Sequence, residues 1–305
     1  MSPPELPDGA VSWRMLAAEA ERRLMATSVG EPGSAAIDAR RIVERASGTE
    51  GSEYVLGLDD AATEKGVHHF DLMLERRLQG EPLQYVVGRW GFRALDLMVD
   101  RRVLIPRPET EVVAGLALDE LDRAAAGERG GRPLVAVDLG TGSGAIGLAI
   151  ADERDRVDVW LTDVSADAIA VARANLVGLG RSATRVTIVE GEWFGALPAE
   201  LRGSIDVVVS NPPYVATGDE LPAVVRDWEP PGALFAGDDG LDDLRVIVAQ
   251  APRWLAPAGA LVVELAPTQA RRVAALAMEN GFASAEVRSD LAGRDRAVIA
   301  RMAPG

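Results

Sequence analysis

Two short stretches carry residues able to do chemistry. The first is "VVSNPPYV", residues 208–215. Val207, Val208 and Val209 are β-branched and predict a buried strand. Proline cannot donate to a sheet ladder, so the strand should end near Asn211. That leaves an amide (Asn211), a rigid diproline (Pro212, Pro213) and an aromatic ring (Tyr214) at the rim of a sheet. Such a set suits an amide substrate. An amide nitrogen is a poor nucleophile because its lone pair is delocalised into the carbonyl. A site that accepts both N–H bonds can leave the lone pair aimed at an activated methyl group. The Asn211 side-chain oxygen can be one acceptor and the Pro212 backbone carbonyl the other, with Tyr214 packed against the flat group. Preorganised alignment is the main lever for such a transfer. The bland alternative is that Asn211 caps a turn and Tyr214 fills a gap.

The second stretch is "VAVDLGTGSGAIGLAIA", residues 135–151. It predicts a buried strand, a glycine turn and an apolar helix. Gly140, Gly142 and Gly144 let the backbone turn sharply and approach a ligand, with Thr141 and Ser143 between them. Gly142, Gly144 and Gly147 also satisfy the G-x-G-x-x-G spacing of dinucleotide sites. Asp163 ends the next strand, where its carboxylate can accept both hydroxyls of an adenosine ribose. Asp138 favours one of the two ligands, the remaining alternative being a tight turn with no ligand. A carboxylate at the strand end repels a pyrophosphate but suits the sulfonium and ammonium of S-adenosylmethionine. Trp193, in "EGEWF", can cover the adenine face or simply pack beside Phe194.

The elements that must position these residues follow from the pattern. Residues 11 to about 80 have helical spacing: Trp13, Leu16, Ala17, Ala20 and Leu24, then a break at Gly30, Pro32 and Gly33. Ser34 is a candidate N-cap for a helix ending near Gly48, and a third helix runs from about Thr63 to Leu78. Residues 81–107 are rich in β-formers and predict a β-hairpin linker. Pro108 suits a helix start, with Glu109 and Glu111 in its first turn. Beyond 133, strands are expected at 134–139, 157–163, 186–190, 205–210, 260–265, 284–288 and 296–301. Helices are expected at 144–153, 166–178, 241–255 and 267–280. Alternation of this kind predicts an α/β fold with a seven-stranded, mainly parallel sheet and helices on both faces. The expected division is a helical domain at 1–85, the linker at 86–107 and a catalytic domain at 108–305.

Composition removes other classes. The chain has 305 residues, 48% of them apolar, enough for a real core. It has no cysteine, which excludes disulfides, thiolate metal sites and a cysteine nucleophile. The net charge is −15 and the pI about 4.7, and no basic stripe is visible, so a direct nucleic-acid partner is disfavoured. Lys65 is the only lysine beside the arginines. No apolar run suggests a signal peptide or membrane span, and a cytoplasmic monomer is expected. His68 and His69 are adjacent on a helix and face different directions, which disfavours a metal pair.

The chain resembles the HemK/PrmC family, the peptide chain release factor glutamine methyltransferases. The resemblance is carried by D-L-G-T-G-S-G-A-I and N-P-P-Y together with "GEPLQYVVG" (80–88), "LIPRPETE" (104–111), "WEPPGALFAGDDGL" (228–241) and "LVVELAPTQA" (261–270). It covers about residues 76–300. It implies a Rossmann-like methyltransferase that uses S-adenosylmethionine. The implied substrate is the side-chain amide nitrogen of the glutamine in the Gly-Gly-Gln motif of class I release factors. By the family pattern, Gly140 to Gly144 form the cofactor loop, Asp163 holds the ribose and Trp193 contacts the adenosine. Asn211 to Tyr214 hold the glutamine, and the N-terminal helices dock the release factor. Three places depart from the pattern: Gly91-Phe92, Gly191-Glu192-Trp193 and Leu265-Ala266. Competing readings are a glutamine methyltransferase acting on a ribosomal protein, an adenine-N6 DNA methyltransferase, a non-catalytic cofactor-binding docking module and an NAD-dependent oxidoreductase.

Overall fold

A computed structural model describes residues 6, 9–27, 29–30, 33–127 and 132–305. Pro32, one of the expected helix breakers, lies outside the described residues. The chain divides into two compact units, residues 1–89 with 223–228, and residues 90–222 with 229–305.

The first unit is helical. Helix α1 (Trp13–Met25) starts on Ser12, whose hydroxyl accepts from the Met15 amide. It buries Trp13, Leu16, Ala20 and Leu24, one face at helical spacing. Helix α2 (Ala35–Ser47) ends on Gly48 in the left-handed conformation. Ser34 does sit before α2, but its side chain makes no cap and its hydroxyl is buried without a partner. A short helix, α3 (Gly51–Gly57), follows, then α4 (Glu64–Leu78), capped by Thr63. These helices close on Ile42, Val43, Phe70 and Leu74. Arg77, on the buried side of α4, pairs with Asp38 at 2.7 Å. Helix α5 (Leu83–Val87) occupies residues that the β-former content assigned to the linker. Its Leu83, Val86 and Val87 join the same apolar core, and Gly88 ends it in the left-handed region. Packing there overrides the strand preference of valine.

The second unit carries a β-hairpin, β1 (Arg89–Phe92) and β2 (Leu95–Met98), and helix α6 (Pro108–Ala125). Then come β3 (Leu134–Leu139), α7 (Ala145–Glu153), β4 (Val157–Asp163), α8 (Ala166–Leu176) and β5 (Val186–Glu190). The chain continues through β6 (Ile205–Ser210), β7 (Leu255–Glu264), β8 (Ser284–Ser289) and β9 (Asp295–Arg301). Helices Asp242–Gln250 and Ala270–Glu279 flank β7. The seven strands order as β5-β4-β3-β6-β7-β9-β8. Only β9 runs against its neighbours. The expected seven-stranded, mainly parallel sheet is therefore present.

Strand β6 is buried along its whole length. Val207 and Val209 face one apolar core with α6 and α7, while Val208 faces the other with Leu244, Ile247 and Val273. A strand covered on both faces reads as a continuous apolar run, which explains the valines. The chain leaves β3 toward β4 on one side and meets β6 on the other, so strand order reverses between β3 and β6. Leu139 and Ser210 are paired there, and the Ser210 hydroxyl donates to the Leu139 carbonyl at 2.7 Å. A crevice outside the strand ends at such a switch is where open α/β sheets bind ligands.

Candidate active site

Both chemical stretches open into that crevice, because Gly140 follows β3 and Asn211 follows β6. The cavity there measures about 450 Å³ and includes Gly140 to Ser143, Asp163, Trp193, Asn211 and Pro213 in its wall.

The glycine turn is built as its composition requires. Gly140, Gly142 and Gly144 all have positive φ, at 70°, 56° and 88°. Gly144 also starts α7, and a Cβ there would strike Leu148. Gly147, one turn into α7, lies so close to β4 that a Cβ would sit 2.6 Å from a Leu161 methyl. The G-x-G-x-x-G coincidence in the sequence therefore reports close helix–strand packing at its last glycine.

Asp138 serves the loop directly. Its Oδ2 accepts from the Thr141 hydroxyl at 2.7 Å and the Gly147 amide at 2.9 Å. Burial pushes its pKa up to about 6, against the pull of those two donors. Asp163, at the end of β4, accepts from Gly142 N–H through Oδ2 and from Ser165 N–H through Oδ1, both at 2.9 Å. Burial raises its pKa as well. Each Asp163 oxygen has a second lone pair, so a ribose can still be held while the loop is pinned.

Trp193 takes a left-handed φ of 44°. Its ring lies over Gly140, where a Cβ would meet it at 3.1 Å. Among the charged side chains around the cavity, four are acidic (Asp138, Asp163, Glu192, Asp243) and one, Arg102, is basic. Arg102 is paired with Asp100 at 2.6 Å. The field at this wall favours a cation.

Across the crevice, Asn211 Nδ2 donates to the Thr110 hydroxyl at 3.3 Å, and Asn211 Oδ1 is buried with no partner. Pro213 lines the cavity and Pro212 is buried. Tyr214 lies further back. Its hydroxyl donates to Glu264 Oε1 at 3.3 Å and its ring packs on the second core. Its carbonyl accepts from Gln269 Nε2 at 2.9 Å. Burial and the nearby Glu264 both raise the Tyr214 pKa, so the hydroxyl stays protonated.

The sequence assigns no chemical role to several residues around the site, although Glu264 lies in a stretch that carries the family resemblance. Glu264 ends β7 almost wholly buried, and burial lifts its pKa to about 7. Asn175, on α8, donates to the carbonyls of Ser143 and Met98 and accepts from Met98 N–H. It ties the hairpin to the glycine loop. Arg107, in the LIPRPETE stretch, pairs with the buried carboxylate of Glu229, which also accepts from Ile105 N–H. Glu109 pairs with Arg294 at 2.7 Å, and Glu111 accepts from Arg93 N–H at 3.1 Å. The acids of this motif are thus braces, held by arginine partners that sequence spacing does not reveal.

Comparison with known proteins fits this geometry. Residues 16–88 match the PrmC N-terminal domain, and residues 123–228 match the methyltransferase small domain. A release factor glutamine methyltransferase of Xylella fastidiosa is 43% identical over 79% of this chain and 82% of its own length. The chain belongs to the release factor glutamine methyltransferase family. Another member, from Deinococcus radiodurans, is 38% identical over 96% of this chain and 99% of its own length. The hMettl16 catalytic domain, solved with the MAT2A 3′UTR hairpin 6, is 12% identical and shares the fold, with a TM-score of 0.51 over 79% of this chain and 82% of that one. No helix among the described residues is long and apolar enough to cross a membrane.

Proposed function

We propose that the chain transfers a methyl group from S-adenosylmethionine to the side-chain amide nitrogen of the Gly-Gly-Gln glutamine in class I release factors. The observation that carries this reading is the buried, unpartnered Oδ1 of Asn211 at the wall of an acidic crevice. A buried acceptor without a donor costs about 1–3 kcal/mol, and a substrate amide N–H would relieve that cost.

The residues present fit the cofactor. The acidic wall suits a sulfonium and an ammonium, the bare backbone of Gly140 and Gly142 permits close approach, and Asp163 keeps free lone pairs. When bound, the cofactor supplies a methyl carbon whose leaving group is a neutral thioether. Asn211 Oδ1 would accept one N–H of the substrate amide and the Pro212 carbonyl the other. Both contacts hold the amide plane so that the nitrogen lone pair faces the methyl carbon. The methylated amide nitrogen is strongly acidic, so its proton leaves to water without a tuned base. Trp193, over Gly140, would cover the adenosine. The helical unit, which carries the PrmC N-terminal domain match, would dock the release factor.

Mass spectrometry tests the substrate. The enzyme is incubated with isotope-labelled cofactor and, separately, a release factor, a ribosomal protein and an oligonucleotide. Label on the release factor glutamine alone is the expected result. Label on the ribosomal protein or the oligonucleotide instead would overturn the assignment.

A further inference from the structure

An asparagine amide has two ends of similar shape and opposite hydrogen-bonding sense. Only with Oδ1 toward the crevice can Asn211 receive a substrate N–H. With Nδ2 there, two donors would meet head on. Something must therefore fix which end faces out.

The only hydrogen bond of the Asn211 side chain among the described residues runs from Nδ2 to the Thr110 hydroxyl. A hydroxyl is ambivalent, with one proton and two lone pairs. If Thr110 aimed its proton at Asn211, it would draw Oδ1 inward and turn Nδ2 to the crevice. The proton must be committed elsewhere. Glu264 lies beside it: Oε1 accepts from Tyr214, Oε2 is buried without a close partner, and the Thr110 hydroxyl is foremost among the groups that favour its charge.

We propose that Thr110 and Glu264 are positioning residues that fix which end of the Asn211 amide meets the substrate. The inference rests on the reading of Asn211 as acceptor for the substrate amide. An ionised Glu264 can only accept, so its unpartnered Oε2 would draw the Thr110 proton toward itself and leave a Thr110 lone pair for Asn211 Nδ2. A protonated Glu264 can donate to Thr110 instead. The Thr110 proton is then free to bind Asn211 Oδ1, and the acceptor is lost to the substrate.

The groups facing Glu264 come from three elements. Thr110 and Glu109 lie on α6, Tyr214 follows β6 and Arg296 lies on β9. Arg296 and Tyr214 favour the ionised form, while Glu109 and burial oppose it. Their balance puts the change near pH 7, at about the pKa of 7, where activity can be followed on both sides. Glu109 is itself neutralised by Arg294.

The test uses the full chain with a release factor, measuring kcat and KM across that pH range and cofactor affinity by calorimetry. The variants are Thr110→Val, which keeps the volume and removes the hydroxyl, Thr110→Ser, which restores it, Glu264→Gln and Asn211→Ala. Thr110→Val should lose about 10- to 100-fold in kcat, with KM and cofactor affinity within about twofold of wild type. Thr110→Ser should recover most of the loss. Wild-type kcat should fall on the acid side of the Glu264 value, and that fall should vanish in Glu264→Gln.

A Thr110→Val enzyme with wild-type kcat would overturn the inference. So would an unchanged acid limb in Glu264→Gln, which decides the matter even if the valine variant does not fold. The Asn211→Ala variant separates the two levels. If it keeps full turnover, the acceptor reading fails and the inference with it. If it is inactive while Thr110→Val is normal, only the positioning role falls.

Discussion

The two strand ends that face each other across the crevice are finished differently. After β3, the polar side chains that shape the loop are completed from within the chain, although the Thr162 hydroxyl behind it is buried without a partner. Asp138 is spent on Thr141 and Gly147, Asp163 on Gly142 and Ser165, and Asn175 on Ser143 and the hairpin. After β6 and β7, polar atoms are left over: Asn211 Oδ1 and Glu264 Oε2 are buried and unpaired. A satisfied network holds its shape before a ligand arrives, whereas an unsatisfied one stores a cost that the right ligand removes. Under the proposed function, the self-supporting wall is the one that would face the cofactor, and the incomplete wall is the one that would receive the substrate amide.

The strongest test strikes the incomplete wall. Asn211→Ala should reduce kcat about 10²- to 10³-fold, as loss of one preorganised hydrogen-bonding group does in other active sites. Cofactor affinity should be nearly unchanged. Thermal stability should hold or rise, because an unpaired buried oxygen is removed along with a weak bond to Thr110. A large drop in melting temperature would mean that Asn211 is a structural cap after all.

Asp163→Ala strikes the completed wall and should behave in the opposite way. Cofactor binding should weaken by about 1–3 kcal/mol from lost hydrogen bonds. Stability should also fall, since the Gly142 and Ser165 amides lose their acceptor. Calorimetry and melting measured on the same variant check both. Unchanged stability would show that the loop does not depend on Asp163 for its shape.

The same contrast explains what could be read in the sequence. The positions of β3, β5 and β6 follow from apolar or β-branched runs closed by glycine or proline, and that of β4 from an alternating apolar run that ends on Asp163. Such boundaries are local, and the structure reproduces them. Asn211 and the glycine turn stood out because unusual residues interrupt buried strands. Glu264, Thr110 and Asn175 had no such contrast. Glu264 ends an apolar strand as many exposed acids do, and only the sheet order brings it behind Tyr214. Asn175 looks like any polar helix residue until the hairpin is placed against it. Asp138 was legible as an acid near a cation, but its two bonds into the loop were not. Helix α5 was missed because valines carry a strand preference that docking on the N-terminal core outweighs.

Asp138 offers an effect on stability with a definite sign. Its folded pKa, about 6, lies above the 3.8 of an ordinary aspartate. The folded state therefore holds the proton more tightly. The resulting stabilisation is complete below the ordinary value and is lost as pH rises through about 6. Melting temperatures of wild type and Asp138→Asn, compared across that window, should diverge. Wild type should lose about 3 kcal/mol relative to the variant, the rise from 3.8 to about 6 at roughly 1.4 kcal/mol per pH unit. Glu264 is also raised but is present in both proteins and cancels in the difference, whereas Asp163, whose charge helps raise Asp138, adds to the divergence with the same sign. A constant difference across the window would show that the Asp138 carboxylate is not strained by its burial.

Tyr214→Phe should have the smallest effect and bears on the incomplete wall from behind. The ring stays, so packing on the second core is kept. What goes is the hydroxyl that donates to Glu264 Oε1. That bond favours the ionised carboxylate, so its loss should raise the Glu264 pKa further above about 7. Activity on the alkaline plateau should change by less than about 1 kcal/mol in barrier, the scale of one long neutral hydrogen bond. The acid limb should move to higher pH. If the limb stays in place while the plateau collapses, the Tyr214 hydroxyl touches the substrate itself and the boundary of the incomplete wall must be drawn one residue further along the chain.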